Sequence, residues 1–257
     1  MDKFFLLTST ESINKISTLE KIIPIFITIF LIIIIFISKR FIIKKDNIDK
    51  SLRLVFGSIS CLFLMLYYCL LWTSQGVTPT TLPLHLCFIS NILAILLCIY
   101  PNKKICTFTL FTGVLGGISS LLFPDLQLSS NYFRYYQFMV CHISIIIIPI
   151  YISLIYNFKI YLVDALKSFI LLNLVGIPIG IFNELYRTNY MFISFTSSFA
   201  ADGSILIDII GTEHYFILLE LFIFSIMLIM YLAIFLSRVI KVLLNSKRNK
   251  KITYIKA

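Results

Sequence analysis

Long uninterrupted apolar runs constrain this chain more than any other feature of its sequence. A hydropathy window of about 19 residues marks seven of them, and each can cross or nearly cross a hydrocarbon core of ~30 Å as a helix. They cover about residues 22–38, 54–74, 83–100, 105–123, 135–156, 160–182 and 215–237. The mean hydropathy of +0.97 excludes a soluble globular domain.

The continuity of these runs predicts the fold class. Backbone groups inside lipid must pair within their own element, so continuous apolar runs predict helices and not open strands. We find no fixed-period repeat and no Pro/Gly/Ser-rich linker that would divide the chain. The sequence therefore predicts an all-α integral membrane protein, in which residues 1–257 form a single polytopic domain, a bundle of seven transmembrane helices.

The basic residues predict the orientation. Most of the 22 Lys and Arg residues lie in the segments 39–53, 103–104, 159–167 and 238–256, which follow alternate helices. The positive-inside rule then places the N-terminus outside and the C-terminus inside. Topology and anionic lipid explain the net charge of +10, and we expect no nucleic-acid partner. The Ile-, Lys-, Phe- and Asn-rich composition is typical of AT-rich genomes and favours a multi-pass protein of a bacterial plasma membrane.

Three reactive side chains stand near the starts of the predicted third, fifth and seventh helices, which all run from outside to inside. They are Cys87, His142 and Glu220, and one plane in the outer leaflet would hold all three. A thiol in the first turns of a helix is activated by the helix dipole, and a neighbouring imidazole would complete the activation. We therefore expect Cys87 as nucleophile, His142 as base and either Glu220 or Glu213 as an orienting acid.

Other polar residues have supporting or structural interpretations. His85 lies nearer the water and would contact a lipid headgroup, while Asn91, one turn after Cys87, would bond a substrate carbonyl. Each candidate also has an ordinary explanation, because a lone cysteine is commonly a small apolar residue and an intramembrane histidine can bond another helix. Asp164 and Lys167 are expected to form an ion pair. We find no metal or nucleotide motif, so we expect no cofactor.

Several short segments carry a resemblance to a known family. They are Leu82–Cys87, Phe133–Phe138 followed by Cys141 and His142, Asn189–Ile193, Asp208–Gly211 and Glu220. Together they resemble YwaF-type bacterial membrane proteins, which belong with the transmembrane protein 164 family, over roughly residues 50–237. The resemblance implies an acyltransferase that moves a fatty acyl chain between phospholipids with a cysteine and a histidine. By motif position these are Cys87 and His142, and Arg134 is a supporting residue of the second segment.

Three functions remain open from the sequence. In the first, a membrane-embedded lipid acyltransferase or transacylase forms an acyl thioester on Cys87 and passes the chain to a lysophospholipid or another acceptor. In the second, a transporter or binding protein uses His142, Glu220 and Asn183 to line a cavity at a kink near Pro178. In the third, the protein is an accessory subunit without chemistry. The inner helix halves hold few ionisable groups, which argues against a transmembrane proton path and favours the enzyme.

Overall fold

The chain folds into α-helices joined by short connections. The computed structural model describes residues 3–7, 16–124, 126, 128–193, 195 and 214–256, the last range with side chains as far as residue 243. The α-helices in this part are α1 (Thr18–Ile42), α2 (Asp46–Gln75), α3 (Leu86–Ile99), α4 (Lys103–Leu122), α5 (Phe133–Ile155), α6 (Leu162–Tyr186) and α7 (Tyr215–Lys256). Short 3-10 turns cover Lys3–Phe5 and Tyr190–Phe192.

Six of these helices are long and apolar enough to cross a membrane, which confirms the all-α membrane class. The exception, α3, has 14 residues and spans only ~21 Å. The predicted third run started at Pro83, but the backbone is still extended at His85, the residue before α3. A seven-span count and its orientation therefore stay predictions.

The other helix bounds differ from the hydropathy runs for local reasons. Helix α1 begins before its apolar run because Ser17 and Glu20 form a capping box, in which the Ser17 N–H donates to the Glu20 carboxylate at 2.7 Å. Helix α7 runs on to Lys256, beyond the predicted end near about residue 237. Lys and Arg are good helix formers, so the basic tail extends the helix although it ends the apolar run.

Helices α4 and α5 form the centre of the bundle. In each of them 61% of the apolar window is buried, against 17% in α1 and α2 and 11% in α7. Glycines on α4 allow the two backbones to approach closely: a Cβ at Gly113 would lie 2.9 Å from the Ile145 carbonyl oxygen, and one at Gly117 would lie 3.0 Å from that of His142. This Gly-x-x-x-Gly spacing is a common signal for close helix packing in membranes.

Polar contacts hold α2 against its neighbours at the inner end of the predicted topology. The Arg53 guanidinium donates to the Asp49 carboxylate at 3.0 Å and also to the Cys98 carbonyl of α3. The Tyr151 hydroxyl of α5 donates to the same carboxylate at 2.8 Å. Because the buried charges are paired and hydrogen-bonded, this cluster joins α2, α3 and α5 without leaving an isolated ion in the apolar interior.

The expected pair of Asp164 and Lys167 is replaced by a contact between helices. The Asp164 carboxylate lies 2.9 Å from the Lys103 ammonium at the start of α4, and it also accepts the Tyr161 N–H at 2.9 Å. The prediction was wrong because it considered spacing within one helix, whereas packing brings the start of α4 to the start of α6. Lys103 and Lys104 begin α4, and Ser120 lies near the other end of this helix.

Candidate functional site

Cys87 occupies the second position of α3, and its thiol rests on α4. The sulfur lies 4.0 Å from the Ser120 hydroxyl oxygen. One turn earlier on α4, a Cβ built on Gly116 would lie 3.7 Å from the same sulfur, which is an ordinary contact distance. As a residue Cys87 is partly buried, and these two contacts hold its thiol against α4.

His142 lies on α5 and is buried, and its imidazole points toward the preceding helical turn. Its Nδ1 lies 2.7 Å from the Phe138 carbonyl oxygen. A carbonyl oxygen only accepts hydrogen bonds, so Nδ1 carries the proton and Nε2 presents a lone pair. Among the residues that the structure describes, nothing bonds to Nε2. The Phe138 ring lies 4.1 Å from the imidazole centroid and restricts its movement. This is the tautomer that a general base needs.

The structure brings Cys87 and His142 to the same level of α4. The thiol lies beside Gly116, and the His142 carbonyl lies beside Gly117, the next residue. Both side chains also interact electrostatically with Arg134. Within the described part of the chain no direct hydrogen bond joins the thiol to the imidazole, and Ser120 is the polar partner of the thiol.

Arg134 lies at the start of α5 among aromatic rings. Its guanidinium is 4.3 Å from the Tyr67 ring centroid and 5.6 Å from that of Phe138, and it donates to the Gln137 side-chain oxygen. Gln137 in turn donates to the Cys141 sulfur at 3.4 Å. The ion pairs of the described residues involve Arg53 and Lys103, so Arg134 has no carboxylate partner there. Its charge is therefore available to an anionic group.

Asn183 organises the segment that faces the beginning of α3. Its side chain is fully buried, donates to the Tyr190 and Ile193 carbonyl oxygens at 2.7 and 3.0 Å, and accepts from Thr188 and from the Tyr190 N–H. The Tyr190 hydroxyl reaches the Pro79 carbonyl at 2.8 Å, and burial raises the pKa of Tyr190, which keeps this donor protonated. All four bonding capacities of Asn183 are used inside the protein.

His85, Asn91 and Glu220 occupy three different settings. The exposed His85 ring lies 4.9 Å from the Tyr190 ring, edge to face. Asn91 is buried; it donates to the Cys87 carbonyl at 3.0 Å and accepts from the Ser60 hydroxyl at 2.9 Å, so it positions the first turn of α3. Glu220 lies near Asn173 of α6, whose side-chain amide donates to the Phe169 carbonyl at 3.1 Å. Glu213 lies outside the described residues. The group that orients the His142 imidazole is the Phe138 carbonyl.

Sequence reasoning missed the contribution of α4. Gly116 and Ser120 contact the Cys87 sulfur, and Gly117 contacts the backbone carbonyl of His142. The small-residue spacing on α4 was visible in the sequence and would have identified its close-packed face. The resembling segment Asp208–Gly211 lies outside the described residues. In the described ranges, no three His, Cys, Asp or Glu side chains are grouped closely enough to hold a metal ion.

Comparison with known proteins gives one match. The family model described as the TMEM164 family matches residues 15–242, a range that includes every candidate site residue. No curated protein and no solved structure matches the chain.

Proposed function

The chain belongs to the TMEM164 family, and we propose that it is a membrane-embedded lipid acyltransferase or transacylase that uses Cys87 as nucleophile and His142 as base. The observation that carries the proposal is the placement of both residues at one level of α4, with the imidazole fixed so that Nε2 is its accepting nitrogen. A nucleophile beside an oriented base is the arrangement that covalent acyl transfer requires.

The reaction has two halves. The Cys87 sulfur attacks the carbonyl carbon of a lipid ester while its proton passes to His142; the carbon–sulfur bond forms, the ester carbon–oxygen bond breaks, and the leaving alkoxide takes the proton. An acceptor hydroxyl then attacks the thioester, gives its proton to His142 and releases the thiolate, which takes that proton back. The N–H groups at the start of α3 are the donors available for the oxyanion.

The substrate we propose is a phospholipid as donor and a lysophospholipid as acceptor. Arg134 supports this choice, because its guanidinium acts on both Cys87 and His142 and has no carboxylate partner among the described residues. A phosphodiester is the anionic group that a guanidinium recognises well in a lipid. No cofactor is needed for this chemistry, since the ester itself supplies the activated acyl group.

We also propose seven spans in a bacterial plasma membrane, with the N-terminus outside and the site in the outer leaflet. The support is the position of the basic residues. Lys103 and Lys104 begin α4, while Ser120, which contacts Cys87, lies near its other end. If the basic end faces the cytoplasm, the thiol lies toward the outer surface.

The transport or binding alternative has less support. It requires Asn183 and Glu220 to line a polar cavity, whereas the four bonding capacities of Asn183 are already filled within the protein. Residues already paired within the protein cannot bind a solute without losing those bonds. An accessory role without chemistry gives no reason for an imidazole whose orientation is fixed at the same level of α4 as Cys87.

The test is acyl transfer by the purified protein in nanodiscs that contain a phospholipid with a labelled acyl chain and a lysophospholipid. We expect a hydroxylamine-sensitive label on Cys87, and we expect Cys87→Ala and His142→Ala each to lower the transfer rate by at least ~100-fold. Cys69→Ala is the matched control, because Cys69 is an exposed thiol on α2 and should leave the rate unchanged. Wild-type transfer by Cys87→Ala would remove the nucleophile and favour the binding alternative.

A further inference from the structure

Ser120 projects into the space between the two residues of the proposed pair. On α4, Gly117 faces α5 and Gly116 faces the Cys87 thiol. At about 100° per residue, the direction of Ser120 falls about 40° from that of Gly116 and about 60° from that of Gly117. Ser120 therefore points to the line along which α3, α4 and α5 meet, between the thiol and the helix that carries His142.

Helix geometry places the His142 imidazole at about the height of Ser120 along the α4 axis. Helices α4 and α5 are antiparallel, with Gly113 beside Ile145 and Gly117 beside His142. One further turn along the two helices in the same register places Leu121 of α4 beside the α5 turn that contains Phe138. Leu121 and Phe138 pack in one apolar cluster, and Ser120 is the neighbour of Leu121. The His142 side chain turns back toward that same turn, where its Nδ1 bonds the Phe138 carbonyl.

The hydroxyl of Ser120 differs from the threonine hydroxyls of α4. Thr107, Thr109 and Thr112 each donate to the carbonyl four residues earlier, at 2.7, 2.8 and 2.9 Å. That backbone bond is the usual arrangement for a hydroxyl in a membrane helix. Ser120 has the Cys87 sulfur as its partner at 4.0 Å. Its hydroxyl is thus directed at the reacting atom, not at its own helix.

We propose that Ser120 is a further catalytic residue, which carries the proton between the Cys87 thiol and His142. The thiol S–H bond breaks as an O–H bond forms on Ser120, while the original Ser120 O–H bond breaks and an N–H bond forms at His142 Nε2. Thiolate and imidazolium result, and the serine is unchanged. The return of the proton reverses these steps. This inference rests on the proposed function, since it assigns the proton path of that same pair.

The test measures the rate at which a small membrane-permeant maleimide alkylates Cys87 in the full-length protein, followed by mass spectrometry of the Cys87 peptide across a pH series. We expect Ser120→Ala to slow alkylation of Cys87 by about threefold to tenfold near neutral pH, because one hydrogen bond to a charged sulfur is lost. Ser120→Thr keeps the hydroxyl and should stay within about twofold of wild type. The alkylation rate of Cys69 in the same samples reports any change in thiol reactivity that is not specific to Cys87.

Two further variants make the result decisive. Ser119→Ala removes the neighbouring hydroxyl, which is exposed, and should not change the rate. His142→Ala should slow alkylation as Ser120→Ala does, and the double variant should be no slower than either single one, because both act in one path. An unchanged rate in Ser120→Ala, or additive losses in the double variant, would overturn the proposal. If the wild-type protein shows no acyl transfer, the proposed function is contradicted. The alkylation result still tests the proton path, because alkylation needs no lipid substrate.

Discussion

The adjacent glycines of α4 offer a direct test of how the bundle positions the site. A Cβ on Gly117 would lie 2.6 Å from Ile146 Cγ1 and 3.0 Å from the His142 carbonyl oxygen, both parts of α5. A Cβ on Gly116 would meet the Cys87 sulfur at 3.7 Å. A contact with backbone at 3.0 Å can be relieved only by moving a helix, whereas a contact at 3.7 Å is ordinary packing.

The magnitudes separate the two variants. Replacing Gly by Ala in a helix interior stabilises the helix by ~1 kcal/mol. This gain is the same for Gly116→Ala and Gly117→Ala, so it cancels when the two variants are compared. Overpacking a close-packed contact costs about 1–3 kcal/mol, and this cost applies to Gly117→Ala alone. We therefore expect the free energy of unfolding of Gly117→Ala to be about 1–3 kcal/mol lower than that of Gly116→Ala.

The assay is reversible unfolding of the purified protein by SDS titration from mild detergent, together with acyl transfer in nanodiscs. The displaced α5 carries His142, and a shift of 1 Å at a reacting group costs up to about 100-fold in rate, so Gly117→Ala should also lose activity. Gly116→Ala should keep most of it. Equal stability and equal activity of the two variants would refute the close approach of α4 and α5 at Gly117.

Further predictions concern the imidazole, the buried amide and the topology. His142→Ala should lose acyl transfer yet unfold within about 1 kcal/mol of wild type, because the hydrogen bond between its Nδ1 and the Phe138 carbonyl is local to α5. A collapsed variant would support a structural role instead. Asn183→Ala should lower the free energy of unfolding by about 1–3 kcal/mol, seen by SDS titration, because the Tyr190 N–H and its neighbours lose their partner; wild-type stability would contradict this. In intact cells an impermeant maleimide should label Val77→Cys and spare Tyr100→Cys, both exposed positions, and the reverse pattern would invert the orientation.

Much of the helix content could be predicted from hydropathy, because a backbone that crosses lipid must satisfy its own hydrogen bonds, and a helix does so within one segment. The bounds were less predictable. Pro83 and His85 belong to the apolar run but precede α3, and a hydropathy window cannot see that the backbone there is extended. Conversely, α7 continues into charged sequence, because helix propensity does not end where hydropathy does.

The candidate pair was predictable from topology, but its surroundings were not. Counting residues from helix starts placed Cys87 and His142 at a similar depth, and this common depth stays a prediction. In the structure the Cys87 sulfur lies beside Gly116, and the backbone carbonyl of His142 lies beside Gly117. The partner of a side chain depends on how helices rotate against each other, which periodicity alone does not set. Sequence reasoning therefore named Glu220 or Glu213 as the orienting group, whereas the His142 Nδ1 bonds a backbone carbonyl of α5, that of Phe138.

The distribution of satisfied polar groups favours catalysis over transport for one physical reason. A transport path needs several groups that exchange partners with a moving solute, and in this bundle Asp49, Asn91 and Asn183 are held by bonds to other helices or segments. Groups fixed in this way rigidify the helices and cannot exchange partners cheaply. A covalent mechanism needs only a few reactive atoms in fixed positions. In the proposed mechanism these atoms are the Cys87 sulfur, which lies beside Ser120, and His142 Nε2, while bonds from Asn91 and to the Phe138 carbonyl hold the first turn of α3 and the imidazole in place.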